Sequence, residues 1–230
     1  MPRTRNLFIE RINESHKRGR ISDEILKSFY DRLPLLEGAV TAVETASGLP
    51  YPTIVFDPSL IKLKYPLTFT ETIIYAYTGI EKLDGIYQLY VQVTLPFLLY
   101  AREDTLKACL AHEFLHYVFY TIILSKKDFS TLSGERLDAP EVHMAYDDTH
   151  IVAPEEWLRD TELVKLIKAN FNPVISDKAL EADVKSRWED AKLPVRQLLA
   201  EESGLRIPIL EVSKIPLDEN IILLSKAKSR

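Results

Sequence analysis

The chain has 230 residues, 46% of them hydrophobic, which suits one globular domain or a domain with a small appendage. Its formal net charge is −5 at pH 7 and no strongly basic patch stands out, so no nucleic acid is expected as a partner. Cys109 is the single cysteine, which excludes an intrachain disulfide and a cysteine-based zinc ribbon.

The start of the chain is basic but is interrupted by Glu10 and Glu14, and it lacks the apolar run of a secretory signal. The most apolar windows, 94–101 and 117–124, are shorter than a membrane span. We therefore expect a cytoplasmic protein without a membrane span. Glutamine is rare whereas Lys, Glu, Ile and Leu are plentiful, a bias typical of thermophilic proteins. A melting midpoint in the range of ordinary mesophilic domains would contradict that interpretation.

The N-terminal segment 1–47 is predicted to be helical. Its predicted helices cover 4–18, 22–32 and 34–47. Ser22 is a favourable residue for a helix start, Pro34 for a first helical position and Gly48 for a helix end.

A small sheet is predicted next. The β-branched run 52–57 lies between prolines, and 85–99 alternates in strand periodicity until Pro96. The stretch 67–79 is ambiguous, with strand slightly favoured over helix.

The second half of the chain is predicted to be mainly helical. The predicted elements are a helix over 105–124, a long loop over 125–153, a helix from Pro154 to about Asn170, a helix from Ser176 or Asp177 to about Lys192, and an irregular or short-stranded tail. Helices, a small mixed sheet and further helices define the α+β class. The predicted division is an N-terminal helical segment 1–47, a central domain 48–192 and a C-terminal tail 193–230 that packs on the same domain.

Residues 106–120, LKACLAHEFLHYVFY, place two histidines and a glutamate within an otherwise apolar predicted helix. Such groups are unfavourable in a core unless something binds them. Because positions i and i+4 share a helix face, His112 and His116 point the same way at a spacing that suits a tetrahedral cation such as Zn²⁺. Glu113, rotated by ~100°, flanks that cation and can accept a proton from water. The alternative is a pair of packed core histidines with Glu113 on a solvated flank.

The His-Glu-x-x-His pattern on a helix resembles the zincin metallopeptidases. Phe119 and Ile122 stand where the metzincin branch has a glycine and a third histidine, so the chain is more similar to the gluzincins. The strong likeness covers 109–118, and a looser likeness in element order extends over about 52–192. The resemblance implies a zincin-like fold, zinc as the cofactor, a peptide or protein substrate, and a third ligand that is a Glu on a later helix.

Glu156 is the predicted third ligand. On a continuous helix from Pro154, Glu156 and Asp160 fall in the middle of an apolar face, where two carboxylates need partners. A metal bound by Glu156, with Asp160 accepting a histidine N–H, removes that cost. Their spacing also fits the gluzincin pattern. The alternative is that Glu155 and Glu156 only favour a helix N-terminus.

Other side chains are weaker candidates. Glu181 is the alternative third ligand, although a surface pair with Lys185 also explains it. Cys109, one turn before His112, is more typical of a small core residue than of a ligand. Three residues of the long predicted loop could act as ligands or stabilise an oxyanion, or else be solvated: His143 and His150 in either role, and Tyr146 in the second.

The function expected from the motif is a zinc-dependent peptidase with Glu113 as general base. Two alternatives stay open. One is a non-catalytic or latent zinc-binding regulatory protein of the same fold, and the other is a structural module in which the histidines simply pack. Peptide deformylase also carries the motif, but it needs an upstream cysteine ligand. Cys109 in the same helix cannot easily supply that geometry.

Overall fold

The computed structural model describes residues 7–65, 71–127, 151–171, 175, 177–199 and 205–228, and the backbone alone of 70 and of 141–144. In these ranges the fold is α+β, with helices packed on small sheets. This confirms the fold class that the order of predicted elements indicated.

The helices are α1 Glu10–Lys17, α2 Asp23–Ser47, α3 Leu95–Tyr100, α4 Glu103–Lys126, α5 Pro154–Trp157, α6 Thr161–Asn170, α7 Lys178–Val184 and α8 Glu219–Lys228. The strands are β1 Leu7–Phe8, β2 Thr53–Asp57, β3 Leu60–Tyr65, β4 Thr70–Ile74, β5 Ala76–Leu83, β6 Ile86–Thr94, β7 Glu141–Met144, β8 Val195–Leu199 and β9 Leu205–Pro208. A π-helical turn follows α7 at Lys185–Glu189, and a 3-10 helix covers Ile209–Lys214.

The main sheet has the strand order β1-β2-β6-β5. Strands β1, β2 and β6 are parallel, and β5 runs antiparallel to β6, with Thr78 opposite Val91. A second sheet has the order β4-β3-β8, and β7 pairs with β9. The sheet places β5 beside α4, and this contact becomes important at the candidate site.

Helix α4 is the central element of the core. It packs against α2, α6, β5 and β6, and 17 of its 24 residues are buried. A helix that is apolar all round is expected in such a position. By length and composition α4 is also the one helix in the described ranges that could cross a membrane, and 83% of its apolar window is buried inside the protein.

The two helices predicted over 22–32 and 34–47 form one helix, α2, so the predicted break at Pro34 is wrong. Proline removes one helical hydrogen bond, which here is the bond to the carbonyl of Tyr30. Both Tyr30 and Pro34 are exposed, so water can serve that carbonyl. The predicted ends are confirmed. Ser22 accepts a hydrogen bond from the Ile25 amide at 3.3 Å, and Gly48 has the left-handed φ of 72°.

Contacts with distant parts of the chain override three other local predictions. The predicted helix over 4–18 gives way to β1, because Leu7 and Phe8 pair with β2, and α1 begins at Glu10. Strand β7 lies within the predicted long loop, where it pairs with β9. The tail contains α8, whose Ile221 is fully buried.

Candidate metal centre

Helix α4 brings His112, Glu113 and His116 together in the core. Their exposed fractions are 3%, 2% and 2%. Their ligand atoms all lie within 4.8 Å of one another. The predicted core of the site is therefore a buried His-Glu-His group that could hold a metal ion.

The two histidines converge through their Nε2 atoms, which are 3.1 Å apart. Their rings are inclined by 80° to each other. Two imidazoles that bind one tetrahedral zinc at the usual bond length have nitrogens about 3.3 Å apart. The observed separation fits that geometry, and it also suits an N–H···N hydrogen bond between two neutral imidazoles. Metal content distinguishes these two states.

Aromatic rings hold both imidazoles in place. Phe171, which follows α6, stacks on His112 with a centroid distance of 4.0 Å and an interplanar angle of 9°. Tyr120, one turn further along α4, stacks on His116 at 5.9 Å and 17°. Ring planes fixed in this way keep the Nε2 atoms aimed at a shared position, as a preorganised ligand pair requires.

Tyr51 supports α4 from the side of the sheet. Its hydroxyl donates to the carbonyl of Leu110 at 2.8 Å, and its ring stacks on Phe114. Burial, followed by the nearby negative charge of Glu113, raises the pKa of Tyr51 well above its ordinary value. The phenol therefore stays protonated and remains a hydrogen-bond donor.

Thr78 of β5 is the contact that sequence reasoning missed. Its Oγ1 lies 2.9 Å from Oε2 of Glu113 and 2.9 Å from the Glu113 carbonyl oxygen. The two residues are 35 positions apart, and no local pattern in the sequence signals their contact. Only the pairing of β5 with β6 and the packing of α4 on β5 bring them together.

Glu156, the predicted third ligand, lies outside the His-Glu-His group. The continuous helix expected from Pro154 is wrong, because the chain leaves α5 at Leu158 in an extended conformation. Asp160 then caps α6, and its carboxylate accepts hydrogen bonds from the amides of Glu162 and Leu163 at 2.9 and 3.2 Å. Glu156 and Asp160 are both exposed. The apolar face that was to surround both carboxylates does not form.

The potential ligand group found in the described ranges includes neither Glu156 nor Glu181. Glu181 is exposed in the first turn of α7. For His143 the structure gives the backbone alone, in β7. His150 and Tyr146 lie outside the described residues. Cys109 is buried, with 1% of its surface exposed, as expected of a small core residue.

A polar cavity of about 320 Å³ lies on the opposite face of the main sheet. Tyr77 lines this cavity and, as the neighbour of Thr78 in a strand, points away from α4. Ion pairs occupy much of its charged lining: Arg11 with Glu81 at 2.5 Å and Arg196 with Asp57 at 2.9 Å. The cavity is therefore separate from the candidate metal centre.

The chain matches no protein-family model, no curated protein and no solved structure. What can be concluded about function therefore depends on the geometry of the His-Glu-His group.

Proposed function

We propose that this protein is a zinc-dependent peptidase of the zincin class, gluzincin-like within that class. The observation that carries the proposal is the convergence of two histidine Nε2 atoms, 3.1 Å apart, beside the buried carboxylate of Glu113. The order of β6, α4 and the later helix α6 also agrees with the order that the sequence resemblance implied.

The residues of this chain have separate roles in the proposed reaction. Zinc, when bound, would polarise the scissile carbonyl and make water more acidic. His112 and His116, whose Nε2 atoms converge, would hold this ion. Glu113 takes a proton from the attacking water and passes it to the leaving amine, so the C–N bond breaks as the carbonyl carbon gains a hydroxyl group. A catalytic zinc site needs a third protein ligand. The sequence predicts Glu156 for that position, with Glu181, His143 or His150 as alternatives. Glu156 and Glu181 are exposed and lie outside the His-Glu-His group.

A second candidate is a latent or regulatory zinc-binding protein of the same fold. The near-complete burial of His112, Glu113 and His116 favours it, because a peptide must reach a metal before it can be cleaved. Zinc bound by the full chain, without turnover of casein or of a peptide library, would support this candidate over the peptidase.

The substitution Glu113→Gln tests the peptidase. It keeps the size of the side chain but removes the base, so hydrolysis should fall by about a hundredfold or more while zinc content stays at that of the wild type. Turnover of a peptide library and elemental analysis measure the two properties. Glu24→Gln makes the same change at an exposed position of α2 and should alter neither. Undiminished hydrolysis by Glu113→Gln would rule out the assigned role.

A further inference from the structure

We propose that Thr78 is a positioning residue that fixes the carboxylate of Glu113 for proton transfer. This inference rests on the proposed peptidase function. It adds a residue that neither the motif nor the expected ligand set contains, and it assigns a task in the reaction to strand β5.

The position of Thr78 suits this role. The residue is 3% exposed, and its side chain points from β5 towards α4. The same hydroxyl oxygen is 2.9 Å from the carboxylate and 2.9 Å from the main-chain carbonyl of Glu113. A hydrogen bond from this buried hydroxyl to Oε2 restricts how the Glu113 side chain can rotate. The carboxylate is thereby held against the backbone of α4 in one orientation.

The chemistry of the contact agrees with positioning rather than with proton transfer. A threonine hydroxyl carries one donor proton, and an ionised carboxylate is the stronger acceptor of the two neighbouring oxygens. The hydrogen bond from Thr78 to Oε2 orients the carboxylate, and the proton from water goes to the carboxylate and not to the threonine. Because Oε2 can accept from Thr78 whether or not Oε1 is protonated, the threonine neither gains nor loses a proton.

If Thr78 had only a structural role, its buried hydrogen bond would contribute to the stability of the fold and not to turnover. The two roles differ in what they do to turnover. Loss of orientation lowers kcat, because a misplaced base costs rate without weakening substrate binding. Loss of a structural hydrogen bond lowers the melting temperature and leaves the kcat of the folded protein unchanged.

The experiment compares Thr78→Val, which replaces the hydroxyl with a methyl group, with Thr78→Ser, which keeps the hydroxyl. We expect kcat to fall by about tenfold or more in Thr78→Val, with KM and zinc content unchanged, and to recover largely in Thr78→Ser. Thr94→Val is the matched control. Thr94 is fully buried in β6 and donates to the Tyr75 carbonyl at 3.0 Å, so its change removes a similar hydrogen bond away from Glu113.

A second readout does not depend on activity. The infrared carboxylate stretch of Glu113, identified by its loss in Glu113→Gln, should shift in Thr78→Val and not in Thr94→Val. If Thr78→Val does not fold, Thr78→Ala against Thr78→Ser provides the same comparison, because these two variants differ only in the hydroxyl.

The outcomes separate the two proposals. Three results with an active wild type would overturn the role of Thr78 and leave the peptidase proposal intact. They are an unchanged kcat in Thr78→Val, an unshifted carboxylate band in Thr78→Val, and a kcat of Thr78→Ser as low as that of Thr78→Val. A zinc-loaded wild type that hydrolyses no peptide would overturn both.

Discussion

At the residue scale, the candidate site combines side chains from three parts of the fold: helix α4, strand β5 and the end of helix α6. His112, Glu113 and His116 share two turns of one helix, so helical periodicity alone brings them together. Thr78 and Phe171 reach the same place from β5 and from the end of α6. No spacing rule connects them to the motif. Glu156 was predicted from a helical face that the structure interrupts at Leu158.

Removing one histidine tests the metal site directly. His116→Ala is expected to lose bound metal, because a single remaining imidazole cannot hold the ion with comparable affinity. Elemental analysis of protein purified without chelator measures the loss. His16→Ala is the control, since His16 pairs with Asp23 at 2.6 Å far from the motif in sequence and should leave metal content unchanged. Equal metal in both variants would count against the site.

Glu156 gives a case in which sequence and structure predict different results. Its side chain is exposed in α5 and lies outside the potential ligand group. From that placement we expect Glu156→Ala to retain the metal content of the wild type, whereas a ligand would lose it. Glu181→Ala, another exposed glutamate, is measured in parallel. Loss of metal in Glu156→Ala alone would restore it as the third ligand.

At the element scale, the helix ends predicted from Ser22, Gly48 and Asp177 were confirmed, whereas the helix start predicted at Pro34 was wrong. Ser22 begins α2, Gly48 ends it, and Asp177 begins α7. The strands β2 and β6 and the helix α4 were also predicted, because their periodicity continues over several residues. Short β1 and β7 were missed, since a strand of 2 or 4 residues exists only through its partner.

Asp177 and Asp160 cap helices alike but differ in their surroundings. Each accepts two backbone N–H bonds, yet Asp177 is 7% exposed and also accepts from the Thr105 hydroxyl of α4 at 2.7 Å. We expect Asp177→Ala to lower the free energy of unfolding by about 2–4 kcal/mol. The substitution removes the helix cap and also leaves the buried Thr105 hydroxyl without this acceptor. The exposed Asp160→Ala should cost about 1 kcal/mol. Equal losses in urea unfolding would contradict a link between α4 and α7.

The contribution of Asp177 should depend on pH. Burial raises its pKa, but the Leu180 amide, the Thr105 hydroxyl and the positive charge of Arg102 outweigh burial, so the pKa lies below its ordinary value of 3.8. A depressed pKa stabilises the fold above the unfolded-state value, and that stabilisation disappears as pH falls through the folded-state value. The difference in unfolding free energy between wild type and Asp177→Ala should therefore be largest near neutral pH and decrease as the pH falls below 3.8. If the stability difference does not change with pH, the contribution of Asp177 comes from its cap geometry alone and not from its charge.

At the scale of the whole molecule, the N-terminal helices and the candidate site share one core. Phe29, Leu36 and Val40 of α2 are at most 1% exposed and belong to the same apolar cluster as Cys109 and Leu110 of α4. Helix α2 is therefore part of the structure that supports the motif. Latency should therefore be tested on the intact protein, because a chain shortened by residues 1–47 would lose these buried side chains.

Because the His-Glu-His group lies inside that core, a bound ion is expected to stabilise the whole fold. A ligand at a hundredfold excess over its Kd stabilises the native state by about 2.7 kcal/mol, which for a chain of this size corresponds to a rise of about 5–10 °C in melting temperature. Calorimetry of metal-free protein with and without zinc measures this rise, with magnesium as the control ion, because imidazole pairs prefer zinc. The His116→Ala variant should show no comparable rise. A zinc-induced rise that is the same in His116→Ala would place the ion elsewhere on the molecule.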